Sequence, residues 1–505
     1  MILSKQNLAS IRNNPAVVAP ADAIFSLPEK VLQFGTGVLL RGLPDHFIDK
    51  ANRQGLFNGR VVVVKSTSTG GTDAFNTQDG LFTLCIRGID GSNKVDEMVI
   101  NSSISRVLSA KEEWSEILKC AANPEMQIVI SNTTEVGIRL VEDDINAAPP
   151  VSFPGKLLAF LLARYKAFNG SAESGMVIIP TELIIGNGTE LKRIVLELAK
   201  MNALDADFVN WLNTANDFCN SLVDRIVPGK LPAADSEEAE KKIGYKDELM
   251  IMSECYSLWA IETSSQRTKD ILSFSKADKG VVIAEDISLF RELKLRLLNG
   301  AHTFTCGLAF LSGFKIVKEA MDDASFLAFI TSLMNEEIVP AITGKNLPAS
   351  LAHEFAGKVI DRFRNPYIQH QWLSITVQYS SKMKMRNVPV IGQYYQNKGT
   401  VPQRMALGFA AYMLFMKTEK NAEGQFIGQL NGQDYTVQDD HAGVIQEIWE
   451  RAAGPEDAAN KILKESNLWG TDLSQMEGFS KAVISYLQSF IKDGVVVTLR
   501  KFIKA

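Results

Sequence analysis

The sequence predicts an α/β protein, with a mostly parallel sheet carrying insertions over residues 1–285 and a mainly α-helical part over residues 286–505. Three observations lead there. The first half alternates β-branched apolar runs with amphipathic helical stretches, the pattern of βαβ units. A Gly-x-Gly turn follows the first of those runs. From about Ile287 onward the periodicity becomes that of long helices.

Taken in order, Val31–Phe34 is the first strand, and Gly35-Thr36-Gly37 leads from it into an amphipathic stretch through Pro44 to Gln54. Arg60–Lys65 is a β-branched run with the look of a buried parallel strand, repeated at Gln127–Asn132 and Met176–Pro180. Trp114–Ala122 and Pro154–Phe168 read as helices between them, and Phe82–Arg87 with Val95–Ile100 as an inserted antiparallel pair. The charge run Asp235–Lys242 reads as a solvated loop or helix edge. Val281–Ala284 is the last strand, and a domain boundary is placed near Glu285. Phe290–Phe314, Leu351–Arg364, Arg404–Lys417, Ala442–Ala453 and Phe479–Lys492 follow as helices.

Composition narrows the function. Among 505 residues, 46% are hydrophobic and 22% charged, which is ordinary globular composition with room for two or three domains. A formal net charge of −5 with no basic run speaks against nucleic acid and against a membrane surface. The start, Met1-Ile2-Leu3-Ser4-Lys5, has no signal-peptide core, and the most apolar uncharged stretch, near Ala406–Met416, is too short for a bilayer. Five scattered cysteines without a Cys-x-x-Cys pair and five scattered histidines suggest neither a disulfide framework nor a metal cage. The expectation is a cytoplasmic, metal-free protein.

Gly35-x-Gly37 stands where an α/β nucleotide-binding (Rossmann-type) domain brings its glycine loop. The turn needs residues without a Cβ so that backbone N–H groups approach a pyrophosphate. A simple β-turn is the competing reading. Position 40 is Leu rather than a third glycine, and Pro44 suits a helix first turn, so the loop is expected to run long before its helix. After Val64 come Lys65-Ser66-Thr67, with no acid to hold a ribose 2′-OH; Lys65 and Ser66 could even favour a 2′-phosphate, which leaves the choice of NAD or NADP open. Ser131-Asn132-Thr133-Thr134-Glu135 ends a central strand where a nicotinamide ribose would lie, or is a polar turn.

The segment Lys294-Leu295-Arg296-Leu297-Leu298-Asn299-Gly300-Ala301-His302 carries most of the chemistry. On a straight α-helix, Asn299 lies about 140° and His302 about 80° around the axis from Lys294. A long lysine stem can reach toward both, with Leu295, Leu297 and Leu298 left for packing. Burial gives such a lysine reason to release its proton, as a general acid/base requires. The competing reading is a solvated lysine and a core histidine. Lys382, Lys384 and Arg386 alternate, so an extended strand would put them on one face, either to meet an anionic substrate or as a solvated basic face. Tyr394-x-x-x-Lys398 matches the acid/base pair of short-chain dehydrogenases, but it is set aside as a chance match in a Pro- and Gly-flanked loop.

Lys294-x4-Asn299-x2-His302, together with Phe34-Gly35-Thr36-Gly37, Leu222–Pro228 and Arg362–Pro366, resembles the polyol-specific long-chain dehydrogenases, the mannitol dehydrogenase family. The resemblance implies an N-terminal Rossmann domain, a helical C-terminal domain, and NAD(H) bound near Phe34, Gly35, Thr36, Gly37, Ser131 and Asn132. It also implies Lys294 as general acid/base, Asn299 as holder of the substrate oxygen, and His302 as the residue that binds and orients the substrate. Asp224 and Lys382 match polar positions of the family's substrate site. Where mannitol-type members carry an Asp-Asn pair, this chain reads Glu182-Leu183, so one oxyanion amide is absent; Asn187 is a candidate substitute or a turn residue. Ser131–Glu135, Pro180–Ile184 and Lys294–Thr303 look most like members acting on a keto-uronate and its aldonate. A sister keto-uronate, a neutral polyol, or a non-enzymatic dinucleotide-binding regulator are the alternatives. Oligomeric state is left unassigned.

Overall fold

The computed structural model describes residues 1–66, 71–133 and 137–504. They divide into two compact units, one formed by Met1–Gly88 and Lys94–Ile287, the other by Ile89–Asn93 and Ser288–Ala505.

In the first unit, strands β1 (Glu29–Phe34), β2 (Arg60–Lys65), β3 (Phe82–Asp90), β4 (Asn93–Asn101), β5 (Ile104–Ser109), β6 (Ile128–Ser131), β7 (Val177–Pro180) and β8 (Asp217–Phe218) come first. Six of them form one sheet in the order β5-β2-β1-β6-β7-β8. Every pairing in it is parallel. The order is that of a doubly wound nucleotide-binding sheet, which reverses direction between β1 and β6.

Successive strand residues point to opposite faces, and here both faces are covered. Leu32, Phe34, Val62, Val64 and Val129 pack under the helices Trp114–Cys120, Phe153–Ala167, Asn187–Met201 and Ala206–Thr214. Val31, Val61, Val63, Ile128, Ile130, Val177 and Ile179 pack on the opposite side against Phe47, Ile48 and Ala51 of the helix Pro44–Arg53. All of these strand residues are at most 1% exposed. Each contributes about 1.5–3 kcal/mol through burial, which is why the strands read as unbroken apolar runs rather than alternating ones.

Strands β9 (Ser221–Asp224), β10 (Ile251–Glu254), β11 (Leu258–Glu262) and β12 (Val281–Ala284) complete the unit. They make two small sheets, β10-β3-β4 and β12-β11-β9. The expected pair at 82–100 is therefore a hairpin extended by β10, joined at Gly91-Ser92. The short strands β5 and β8 were not read from the sequence. The charge run belongs to the helix Ala233–Ile243, which buries Ala239 and Ile243 and stops at Gly244 in the left-handed region.

The second unit is helical, with one surface meander of strands β13 (Glu419–Lys420), β14 (Phe426–Leu430) and β15 (Gln433–Val437) that the sequence reading also missed. The helix expected over Phe290–Phe314 is Ser288–Leu293, a π-helical stretch Lys294–Gly300, and Ala301–Leu311. Two further π stretches occupy Leu333–Ile338 and Met383–Asn387. Both run into a proline, Pro340 and Pro389. A proline has no N–H for the carbonyl four residues back and its ring crowds that carbonyl, so the turn widens to i→i+5 bonding. Helix Ala301–Leu311 is seated closely on Gln403–Phe415: a Cβ at Gly408 would come within 2.6 Å of the Phe304 carbonyl. Ala324–Ile342 is long and apolar enough to cross a membrane by composition. It nevertheless buries Phe326, Phe329, Leu333 and Met334 within this unit, and its Glu337 accepts the Arg404 and Met405 N–H groups at 2.8 Å.

Candidate active site

The π stretch changes the geometry of the Lys-Asn-His segment. With i→i+5 bonding, residues five apart stand about one turn from each other. The wider turn rotates less per residue, so Asn299 lies closer around the axis to Lys294 than the straight-helix expectation put it. Both side chains are half-buried, while Leu297 and Leu298 carry the packing. Thr303 Oγ1 donates to the Asn299 carbonyl at 2.8 Å and steadies the end of the wide turn.

His302 is 8% exposed, and its ring lies 4.0 Å from that of Phe363, 5.3 Å from His370 and 5.8 Å from Trp372 (centroid distances). Burial pushes its pKa well below the usual value, and His370, Arg362, Arg386 and Lys382 push the same way. The ring is therefore neutral, with one nitrogen donating and the other accepting. Its Nδ1 has no hydrogen-bond partner among the described residues.

Lys382 and Arg386 do not lie on a strand, contrary to the expectation from their alternation. Met, Lys and Arg are good helix formers, and Tyr379–Lys382 is α-helix running into the π stretch Met383–Asn387. Four residues apart, Lys382 and Arg386 both lie near enough to His302 for their charges to lower its pKa, whereas Lys384 is exposed and donates to the Asn467 carbonyl. Lys382 Nζ donates to the Ile375 carbonyl at 3.0 Å, and Arg386 Nη1 to Thr303 Oγ1 at 3.2 Å. Arg386 Nε is buried without a partner among the described residues. Burial, then Arg386, lowers the Lys382 pKa; burial, then Lys382, lowers that of His370. A compact cationic patch with two neutral imidazoles and unused donors is chemistry suited to an anion.

In the sheet unit, β1 ends at Phe34 and β6 at Ser131, the two strands flanking the reversal of order, where such sheets bind ligands. Gly35 has φ +129°, and a Cβ there would meet Leu40 Cδ1 at 2.8 Å and the Asn132 carbonyl at 3.1 Å. Nothing lies within 4 Å of a Cβ built on Gly37, so its backbone faces open space. The helix begins at once, at Val38, with Gly37 as its N-cap, and not after a long loop as expected. Pro44 instead interrupts it at Leu43, because the residue before a proline is driven out of the helical region. Lys65 is buried at the end of β2. Thr67, Thr134 and Glu135 lie outside the described residues.

Ser131 Oγ donates to Glu182 Oε2 at 3.1 Å, and Thr133 donates its N–H and hydroxyl to Oε1 of the same carboxylate. Asn132 Nδ2 donates to Thr181 Oγ1 at 3.0 Å. Glu182 is thus a brace that fixes the polar ends of β6 and β7. Asn187 is fully buried; its amide donates to the carbonyls of Pro180, Glu182 and Ser221, and its oxygen accepts the Gly188 and Ser221 N–H groups. Those bonds occupy both ends of its side chain, so its role is that of the turn residue and not of an oxyanion donor. Asp224 closes β9 and is buried. The neighbouring Arg225 donates to the Gly42 carbonyl at 2.6 Å, behind the interrupted helix.

Beneath the glycine turn, Gln33 Nε2 donates to Asp45 Oδ2 at 3.2 Å in a fully buried pair. Burial raises the Asp45 pKa to about 7, against the opposing Gln33 bond. Because the folded-state value lies above the unfolded one, this group stabilises at low pH, and the contribution is lost as pH rises through about 7. Asp45→Asn should accordingly flatten the decline of melting temperature between roughly pH 4 and pH 7. Identical slopes in both proteins would refute the assignment.

Lys294, Asn299, His302, Lys382 and Arg386 all belong to the helical unit; Phe34, Gly35, Thr36, Gly37, Lys65, Ser131, Asn132, Asn187 and Asp224 belong to the sheet unit. His370, Thr303, Arg296 and Glu182 were missed. His370 and Thr303 belong to no spacing pattern, but Pro389 was a legible sign that the helix carrying Arg386 is irregular.

A doubly wound sheet with a glycine turn at its switch point is followed in the same chain by a helical unit bearing a lysine, an amide and an imidazole, and its family relationships mark it as an oxidoreductase acting on CH–OH groups. The chain belongs to the mannitol dehydrogenase family: residues 29–272 match its Rossmann domain and residues 286–491 its C-terminal domain. It is 37% identical to the altronate oxidoreductase of Bacillus subtilis, over 94% of this chain and 95% of that protein. It is likewise 37% identical to the altronate oxidoreductase of Escherichia coli O139:H28, over 94% and 96%. In fold it is similar to the Pseudomonas fluorescens mannitol 2-dehydrogenase ternary complex with NAD and D-mannitol (TM-score 0.67, 24% identity, all of both chains). A D-sorbitol dehydrogenase in substrate-free form superposes with TM-score 0.80 at 19% identity, over 99% of this chain and 100% of that one.

Proposed function

We propose that the protein catalyses the NADH-dependent reduction of tagaturonate to altronate and the reverse oxidation, a step of hexuronate catabolism. The observation that carries the reading is the patch of Lys382 and Arg386 around neutral His302, on the same unit as Lys294 and Asn299, with Arg386 Nε buried and unused. A uronate carboxylate gives such a pair of cations a partner. The names of the relatives support the same substrate class.

The Gly35–Gly37 turn fits a dinucleotide, since its backbone faces open space at the sheet's switch point. When bound, the reduced nicotinamide supplies the hydride. Lys382 and Arg386 hold the substrate carboxylate, and His302 accepts from or donates to a substrate hydroxyl to orient it. The Asn299 amide stabilises the negative charge that develops on the ketone oxygen. Lys294 delivers a proton to that oxygen as the hydride arrives at the carbon, so the C=O bond becomes CH–OH with charge balanced. In the reverse direction neutral Lys294 takes the hydroxyl proton.

The test is a panel of tagaturonate, fructuronate and fructose, each with NADH and NADPH. The expected ranking places tagaturonate with NADH first. A preference for fructose overturns the substrate, and a preference for NADPH overturns the cofactor and implicates Lys65. Absence of ketose-dependent NADH oxidation would leave a dinucleotide-binding regulator. Arg386→Ala and Lys382→Ala should each raise KM for tagaturonate by roughly tenfold or more, with a smaller effect for fructose, as loss of a charge-assisted bond does. Equal effects on both ketoses would mean that neither side chain reads the carboxylate.

A further inference from the structure

Pro389 has no N–H to offer the Met385 carbonyl four residues earlier, so that carbonyl needs another donor. Arg296 supplies it. Its Nη1 donates to the Met385 carbonyl at 2.9 Å and to the Arg386 carbonyl at 2.8 Å, while its Nε donates to Glu292 Oε2 at 3.0 Å. Arg296 is 9% exposed and sits within the π turn Lys294–Gly300. The guanidinium therefore ties one wide turn to the other. The connection closes on itself: Arg386 Nη1 returns to Thr303 Oγ1, which holds the Asn299 carbonyl. Close packing leaves little slack, since a Cβ on Gly300 would stand 3.3 Å from Asn387 Oδ1.

We propose that Arg296 is a positioning residue for the anionic substrate, bracing the proline-widened turn so that Arg386 is held over the Lys294–His302 helix. This rests on the keto-uronate reading above. Arg296 reaches no reacting atom in the proposed mechanism; it acts by fixing the direction of Arg386. A planar fork with two donors on separate nitrogens suits the task, because one nitrogen bridges adjacent carbonyls while the other is anchored by Glu292. Lysine would keep the charge and one contact but lose the anchored direction.

The experiment compares kcat and KM for tagaturonate and for fructose, each with NADH, in wild type, Arg296→Met, Arg296→Lys and Arg386→Met, alongside melting temperatures. Arg296→Met should raise KM for tagaturonate roughly tenfold or more, with kcat for that substrate reduced about threefold at most and KM for fructose moved much less. Arg296→Lys should recover part of the loss, and it carries the test if the methionine variant does not fold. A purely structural residue would instead lower kcat and stability without discriminating between charged and neutral ketose, and that result, or no change in KM, overturns the proposal. Should Arg386→Met leave the tagaturonate KM at its wild-type value, the carboxylate reading fails and this inference falls with it. An Arg386 effect without an Arg296 effect defeats the inference alone.

Discussion

Lys294→Ala is expected to lower turnover by roughly 10²–10⁴-fold, the range for removing a positioned general acid/base. The fold should tolerate the change, because the buried neighbours Leu293, Leu297 and Leu298 carry the packing of this stretch and Lys294 itself is only half-buried. NADH binding should persist, since Gly35 and Gly37 belong to the other unit. Near-normal turnover would make Lys294 a solvated helix residue.

Asn299→Ala should cost about 10²–10³-fold in kcat, or roughly 3–4 kcal/mol, if its amide is the main donor to the developing oxyanion. The bond from the Thr303 hydroxyl to the Asn299 backbone carbonyl is untouched by the substitution, so the π turn should be retained. KM should therefore change little, as expected for an interaction that strengthens only in the transition state. Asn299→Asp, similar in shape, should be at least as impaired because a carboxylate has no proton to donate and repels an oxyanion. A loss confined to KM would show that Asn299 binds ground-state substrate instead.

How much of this was legible beforehand depended on the range of the forces involved. The parallel strands were readable because burial on both faces imposes unbroken β-branched runs, as at Val61–Val64 and Ile128–Ile130. Strands β5 and β8 were not, since β5 interrupts its apolar residues with Ser105 and Arg106 and β8 is only two residues long, so each takes its pairing from neighbours distant in the chain. The Lys382–Arg386 segment was read as extended because its residues alternate in charge. Its helical state follows from intrinsic propensity and from packing around Tyr379 and Met383, both fully buried.

Residue types and local spacing by themselves determined the class of fold and the glycine turn, because strand burial and turn chemistry each leave a local mark on the chain; the proposed roles of Lys294, Asn299 and His302 came from family resemblance and not from spacing. Only the tertiary structure decided that the turn at Lys294–Gly300 is π-helical, that Arg296 caps the carbonyls next to Pro389, and that His370 stands 5.3 Å from His302. It also decided that Glu182 braces Ser131 and Thr133 while Asn187 is consumed by its turn. These features rest on contacts among side chains and backbone groups, several of them scores of residues apart. Such contacts are selected by which buried donors and acceptors must be satisfied once the chain is compact, a condition with no counterpart in local sequence.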